Sequence, residues 1–125
     1  MTARHYQCLL SLRERYGESA LVLVGGVRKE AKLRLVAERF GLEVEWYEID
    51  GDSPKAAAAF VNRLRGSNVG AVLLLQAFLP HKFSGKIIAA CVQYNVPFAL
   101  ADNGGSAALE QAFNDLERRL EGTAL

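Results

Sequence analysis

The sequence predicts an α/β fold: a three-layer α-β-α sandwich around a four-stranded parallel sheet, with an extra helix at the N-terminus. Three short segments are apolar throughout, which is typical of strands that a parallel sheet buries on both faces. A helical pattern follows each candidate strand, so right-handed crossovers join consecutive strands. Such crossovers place helices on both sides of the sheet and favour the strand order 2-1-3-4.

The first half of the chain contains two helical patterns and two strand patterns. They are helix 4–16, strand 20–24, helix 28–40 and strand 43–49. Gly17 and Gly41 stand where the two helices end, as glycine often does. The first strand is apolar at every position, whereas the second alternates around Trp46. Alternation of this kind predicts a half-exposed strand at the edge of the sheet.

The second half repeats the strand–helix pattern and closes with an amphipathic helix. Its elements are helix 56–64, strand 69–75, a helix that Pro80 opens and Asn95 ends, strand 97–100 and helix 107–120. Ser53 is a good N-cap for the first of these helices, and Pro54 suits its first position. We expect the last residues, 122–125, to fray.

Composition indicates one domain, residues 1–125, that buries a core of its own. Half of the residues are hydrophobic and the net charge is +1, so composition does not support binding to nucleic acid. No apolar run approaches the roughly 20 residues of a membrane span. Cys8 and Cys91 form no CxxC pair and no zinc spacing with His5 or His81. We therefore expect a bacterial, cytoplasmic protein with reduced cysteines and no signal peptide.

The fold itself predicts where a ligand would bind. In open parallel sheets, ligands bind outside the carboxyl ends of the strands where the strand order reverses, here between the first and third strands. The loops that meet there are 25–28, 76–81 and 102–106, with Asp50-Gly51-Asp52 beside them. The candidate ligand-binding residues in this region are Gly25, Gly26, Arg28, His81, Lys82, Gly104, Gly105 and Ser106.

The loop after the first strand predicts an anion site. Gly25 and Gly26 let the backbone come close to a ligand, and the amides of the next helix then point at it. Arg28 adds a forked cation. The motif is neither GxGxxG nor a Walker loop, so it indicates no particular nucleotide. The alternative interpretation is that the two glycines only form a tight turn.

His81 begins a helix at the same edge, with Lys82 and Lys86 close behind. Cationic neighbours and a helix N-terminus favour the neutral imidazole, which can accept a proton or bind a metal. The alternative is a solvated histidine without a task. Gly85 is unfavourable inside a helix, so we expect another backbone or a ligand to approach it. No nucleophile–base pair is visible, and the sequence specifies no cofactor.

These motifs together resemble a bacterial domain-of-unknown-function family, number twenty-three twenty-five. The matching residues are Val24-Gly25-Gly26, Arg28, Asp50-Gly51, His81, Lys86, Cys91 and Ser106, and the resemblance spans residues 20–113. Val27 is an insertion relative to the family pattern. The family's Asp-Cys is missing where Ala77 and Phe78 stand, and Pro80 replaces its serine. The resemblance implies a Rossmann-like fold and a site at the strand ends, and no particular reaction.

Three functions follow from these observations. The first is a module that binds a small anion, such as a nucleotide or a phosphate ester, at the strand ends. The second is a metal- or haem-dependent protein or enzyme that uses His81. The third is a dimeric interaction module without a ligand. We expect a homodimer because the N-terminal helix and the strand of Trp46 offer much apolar surface.

Overall fold

The computed structural model describes residues 6–49 and 53–124, with the side chains of 123 and 124 left aside. The helices are α1 (Gln7–Tyr16), α2 (Glu30–Phe40), α3 (Pro54–Arg65), α4 (His81–Gln93) and α5 (Ser106–Ala124). The strands are β1 (Leu21–Gly25), β2 (Glu45–Glu48), β3 (Ala71–Leu75) and β4 (Phe98–Ala101). Short 3-10 turns cover 17–19 and 76–78. Among the described helices, none is both long enough and apolar enough to span a membrane.

The predicted architecture is confirmed. All strand pairs are parallel and the order is β2-β1-β3-β4. Every residue of β1 and β3 is buried, because helices cover both faces of this central pair. Leu23 and Leu73 belong to a core shared with α1, α2 and α5. Val22 and Val72 belong to a second core shared with α3 and α4.

The element boundaries differ from the predicted ones by a few residues. Ser53 caps α3 as predicted, and its hydroxyl accepts a hydrogen bond from the Ala56 amide at 3.4 Å. We expected residues 122–125 to fray; α5 is described as far as Ala124, and the fraying stays a prediction. The Asp50-Gly51-Asp52 loop lies outside the described residues.

The N-terminus of α1 is capped by the last helix of the chain. Glu117 of α5 is only 6% exposed. Its carboxylate accepts hydrogen bonds from the backbone amides of Cys8 at 2.8 Å and Leu9 at 3.0 Å. No side chain within α1 performs this task, so a distant carboxylate satisfies amides that a local N-cap residue would otherwise bind.

Strand β2 forms one edge of the sheet and alternates as predicted. Trp46 packs into the core beside α1 and α2, whereas Tyr47 packs against the core on the α3 side. The Trp46 indole is 8% exposed, and its Nε1–H donates to the Gly26 carbonyl at 3.0 Å. Tyr6 and Leu9 beside α1 are buried as well. The apolar surface that led us to expect a homodimer on this side is therefore covered within one chain.

The amino end of β2 is fixed by an ion pair. Arg63 of α3 donates from both terminal nitrogens to the Glu45 carboxylate, at 2.7 and 2.9 Å. The Ser19 hydroxyl donates to the same carboxylate at 2.9 Å. The Arg63 guanidinium also lies over the rings of Tyr47 and Phe60, at 5.8 and 5.7 Å from their centroids. The hydrogen bonds from Arg63 lower the pKa of Glu45, and partial burial opposes this shift.

This ion pair makes the stability of the fold depend on pH in the acidic range. Because the pKa of Glu45 is lowered in the folded state, its stabilising effect is complete above the unfolded-state pKa of about 4.3. The effect is lost as pH falls through the folded-state pKa. We expect Glu45→Gln to reduce the free energy of unfolding clearly at neutral pH and much less at about pH 3. Urea unfolding at both pH values measures this difference.

Glu38→Gln is the matched control, because Glu38 is an exposed carboxylate of α2 and forms no ion pair within the described part of the chain. It should leave the free energy of unfolding nearly unchanged at both pH values. An equal loss for Glu45→Gln at neutral and acidic pH would contradict the role of the ionised carboxylate.

Gly85 lies beside open space, whereas Gly70 lies where the chain is tightly packed. A methyl group on Gly85, which is exposed in the middle of α4, would have no heavy atom within 4 Å. No other part of the described chain therefore approaches Gly85, contrary to one alternative that we predicted, whereas the approach of a ligand stays a prediction. A methyl group on Gly70 would lie 2.5 Å from the Ala20 carbonyl oxygen and 2.9 Å from Cδ2 of Tyr16. At Gly70, therefore, only a residue without a side chain fits beside the chain that enters β1.

Alanine at these two positions should have opposite effects. Gly85→Ala should raise the free energy of unfolding by about 1 kcal/mol, since alanine favours the helix and fits into open space. Gly70→Ala should lower it by about 1–3 kcal/mol, because the backbone must move to admit the methyl group. Denaturant unfolding of both variants provides the measurement, and each variant is the control for the other. A destabilised Gly85→Ala protein would indicate that something does approach this face of α4.

Candidate anion-binding site at the switch point

The chain diverges at the carboxyl ends of β1 and β3, the two central strands. The segment after β1 leads to α2, and the segment after β3 leads to α4. These two helices lie on opposite sides of the sheet. The loops that begin at Gly26 and Gln76 therefore separate around a crevice, as the switch-point rule requires.

The crevice is narrow and lined by residues from four segments of the chain. Its lining consists of Gly26, Val27, Lys29, Lys32, Trp46, Leu75, Phe78 and Gly104. The open volume is about 30 Å³, which is room for a water molecule and not for a nucleotide. A methyl group placed on Gly26 would lie 3.4 Å from Cβ of Phe78. Phe78 thus lies directly over Gly26 while remaining 42% exposed.

Gly25 and Gly26 have structural tasks beneath this cleft. A methyl group on Gly25 would lie 3.1 Å from Cδ1 of Leu75 and 3.3 Å from the Trp46 indole. The Gly26 carbonyl accepts the indole hydrogen bond described above. Gly25 is therefore explained by close packing at the end of β1, and Gly26 alone of the two lines the cleft.

Two lysines of α2 extend along the cleft. The Lys29 ammonium lies 5.3 Å from the centroid of the Phe78 ring. The Lys32 ammonium donates a hydrogen bond to the carbonyl of Gly104. Both partners are electrically neutral, and neither lysine pairs with a carboxylate within residues 6–49 and 53–124. The two positive charges at this cleft are therefore not balanced by described acidic side chains.

Arg28 lies away from the cleft. Its Nε donates to the carboxylate of Glu30 at 2.7 Å, and its backbone amide donates to the Glu48 carboxylate at 2.9 Å. The side chain lines a separate groove of about 270 Å³ along β2, which Trp46 also borders. These two carboxylates hold Arg28 beside the edge strand, so it does not share the cleft with Gly26 and Gly104.

His81 and Lys82 begin α4, on the other layer. Both are exposed, and the Lys82 ammonium lies 5.2 Å from the Phe83 ring centroid. Neither lines the switch-point cleft or the groove of Arg28. In the described residues, no group of three or more His, Cys, Asp or Glu side chains could hold a metal ion. Neither Arg28 nor His81 is among the residues that line the cleft of Gly26 and Gly104, and metal or haem binding by His81 stays a prediction.

The loop after β4 closes the far side of the cleft. Gly104 is buried, and a methyl group there would lie 3.0 Å from Cε of Lys32. Gly105 is exposed, and its amide donates to the Asn103 side chain at 2.7 Å. Ser106 is the first residue of α5. Of the three loop residues in the predicted site, only Gly104 lines the cleft.

Sequence reasoning missed three residues of this cleft: Lys29, Lys32 and Phe78. The spacing of Lys29 and Lys32 was the available signal, because residues three apart lie on the same face of a helix. Phe78 gave no comparable signal, since an aromatic residue in a loop can point in several directions. Its place over Gly26 depends on the 3-10 turn that covers residues 76–78.

The fold and its edge loops define a class, the small doubly wound α/β domain with a crevice at the strand-order reversal. No family model, curated protein or solved structure matches this chain. The resemblance to the domain-of-unknown-function family therefore stays a prediction.

Cys91, one of the residues that carry this resemblance, is buried in the core between the sheet and α4. Burial raises the pKa of its thiol to about 12. Because the thiolate is the reactive form, we expect iodoacetamide to leave Cys91 unmodified in the folded protein at neutral pH. Unfolding in guanidinium chloride should make it reactive. Peptide mass spectrometry measures both states, and rapid labelling of Cys91 in the folded protein would contradict its burial.

Proposed function

We propose that this domain binds a small anion, the phosphate group of an ester or a nucleotide, at the mouth of the switch-point cleft. The observation that carries the proposal is the pair Lys29 and Lys32. Both line one cleft and have only neutral partners among the described residues. An anion at the mouth would lie between these ammonium groups and neutralise their positive charge. Phe78 and the Gly104 carbonyl cannot do so, because both are electrically neutral.

The position of these lysines in α2 supports the proposal. Lys29 is the N-cap residue of α2, and no side chain caps this helix. The N-terminal end of a helix carries a partial positive charge that favours anions and disfavours cations. Residues 28–32 nevertheless contain three cations and one carboxylate, which leaves a net charge of +2. An anionic ligand would stabilise this arrangement through both the helix end and the side chains.

The size of the cleft and its aromatic residue indicate which part of a ligand would bind there. The interior admits little more than water, so the phosphate would remain at the mouth beside α2. Phe78 exposes part of its ring at the same place, and an apolar or aromatic group of an ester could pack against that ring. The ligand would therefore be a phosphate bonded to a small organic group.

We place this binding in the cytoplasm. Cys8 and Cys91 are both free in the described structure, and unpaired cysteines are typical of a reducing compartment. Phosphate esters and nucleotides are present there as possible ligands.

The test is titration with inorganic phosphate and with adenosine 5′-monophosphate at constant ionic strength, followed by amide chemical shifts. Amides near Gly26, Lys29 and Gly104 should shift with saturation. Lys29→Met and Lys32→Met should each weaken binding about tenfold or more, since each removes a charge-assisted contact. If adenosine 5′-monophosphate binds more tightly than inorganic phosphate, the organic group contributes to the affinity.

Arg34→Met is the matched control, because it removes one positive charge from an exposed position of the same helix outside the cleft. It should change the affinity little. The proposal fails if phosphate shifts no more amides than chloride does, or if Arg34→Met weakens binding as much as Lys32→Met does.

A further inference from the structure

Strand β4 forms the second edge of the sheet and has a free side. It pairs with β3 alone among the described strands. The Val72 amide donates to the Pro97 carbonyl at 2.9 Å, which fixes which backbone groups face β3. Since the direction alternates along a strand, the amides and carbonyls of Phe98 and Leu100 point outward. An edge with unpaired groups of this kind can accept another strand.

The two edges of the sheet differ in charge. Strand β2 carries Glu45 and Glu48, with Glu43 just before it. Two copies of β2 would bring these carboxylates together, so this edge opposes pairing with itself. Strand β4 contains no charged residue within Phe98–Ala101. Self-pairing at β4 therefore meets no such repulsion.

Apolar side chains flank the β4 edge. Leu100 is 41% exposed, and Val92 on the neighbouring helix α4 is 64% exposed. They stand out among the described large hydrophobic residues, most of which are buried. A groove of about 540 Å³ lies beside Val92 and is also bordered by Pro97 and Phe98. A second strand at this edge would cover apolar surface as well as backbone groups.

Charges of opposite sign stand at the two ends of β4. The Arg119 guanidinium, whose Nε donates to the Asp115 carboxylate at 3.2 Å, lies 5.2 Å from the Phe98 ring centroid, at the end where the strand begins. Asp102, which is exposed, follows Ala101 at the end where the strand stops. An antiparallel pair of β4 strands about a two-fold axis at Ala99 sets Phe98 of each copy opposite Leu100 of the other. Arg119 of each copy then comes to the end that carries Asp102 of the other copy.

We propose that two copies of this chain associate through antiparallel pairing of their β4 strands and form one continuous eight-stranded sheet. The partner is a second copy because the edge is complementary to itself in charge and in its outward backbone groups. The predicted homodimer would thus form at β4 and not at β2, the edge strand that contains Trp46. It does not depend on anion binding at the switch point.

The first test measures molar mass by light scattering and sedimentation over a concentration series up to about 500 μM. A dimer should form, and hydrogen exchange of the Phe98 and Leu100 amides should slow with its population. Leu100→Lys should weaken association about tenfold or more, because it places two charges at the centre of the interface. Ala37→Lys is the control, since Ala37 is exposed on α2, the helix that leads to the opposite edge strand β2, and it should leave the dimer intact.

Charge reversal provides a second variant in case Leu100→Lys disturbs the fold. Asp102→Arg should weaken the dimer, because it brings an arginine to the end that carries Arg119 of the other copy, and Asp102→Asn should weaken it less. A monomer throughout the concentration series overturns the proposal. So does a dimer that survives Leu100→Lys and Asp102→Arg, or one that forms without slower exchange at Phe98 and Leu100, because its interface would then lie elsewhere.

Discussion

The pairing of β1 with β3 is the constraint on which the rest of the fold depends. Both strands are buried along their whole length, so each must contribute apolar side chains to both faces of the sheet. Alternation along each strand then divides the interior in two. Leu23 and Leu73 face one layer of helices, and Val22 and Val72 face the other. The same pairing places the crevice, because the helices after β1 and β3 leave toward opposite layers.

The strand order could be predicted from the sequence because it follows from local patterns and general rules. Apolar runs identify the strands β1, β3 and β4, of which β4 lies at an edge of the sheet, and the alternation around Trp46 identifies the other edge strand. Crossover handedness then leaves few arrangements to consider. The helix ends were predicted less accurately than the strand order, since α5 continues past the point at which its apolar pattern fades.

Of the candidate cleft, the sequence could predict the place in the fold but few of the residues that line it. The switch-point rule correctly brings Gly26 and Gly104 together, because it depends on topology. The direction of Arg28 could not be predicted, since it is set by Glu30 two residues later and by Glu48 from a different strand. The narrowness of the cleft results from Phe78, whose position depends on a short turn. Such outcomes follow from contacts between distant side chains, which the order of residues does not specify by itself.

Glu117 has a consequence for the order in which the molecule forms during synthesis. The carboxylate that binds the first amides of α1 stands 108 and 109 positions later in the chain. Helix α1 has only ten residues, and an isolated helix of this length is marginal in water. It is made before α5 but gains its cap only after α5 has followed. Of the five described helices, α1 is therefore synthesised before the others but is secured only when the fifth has followed.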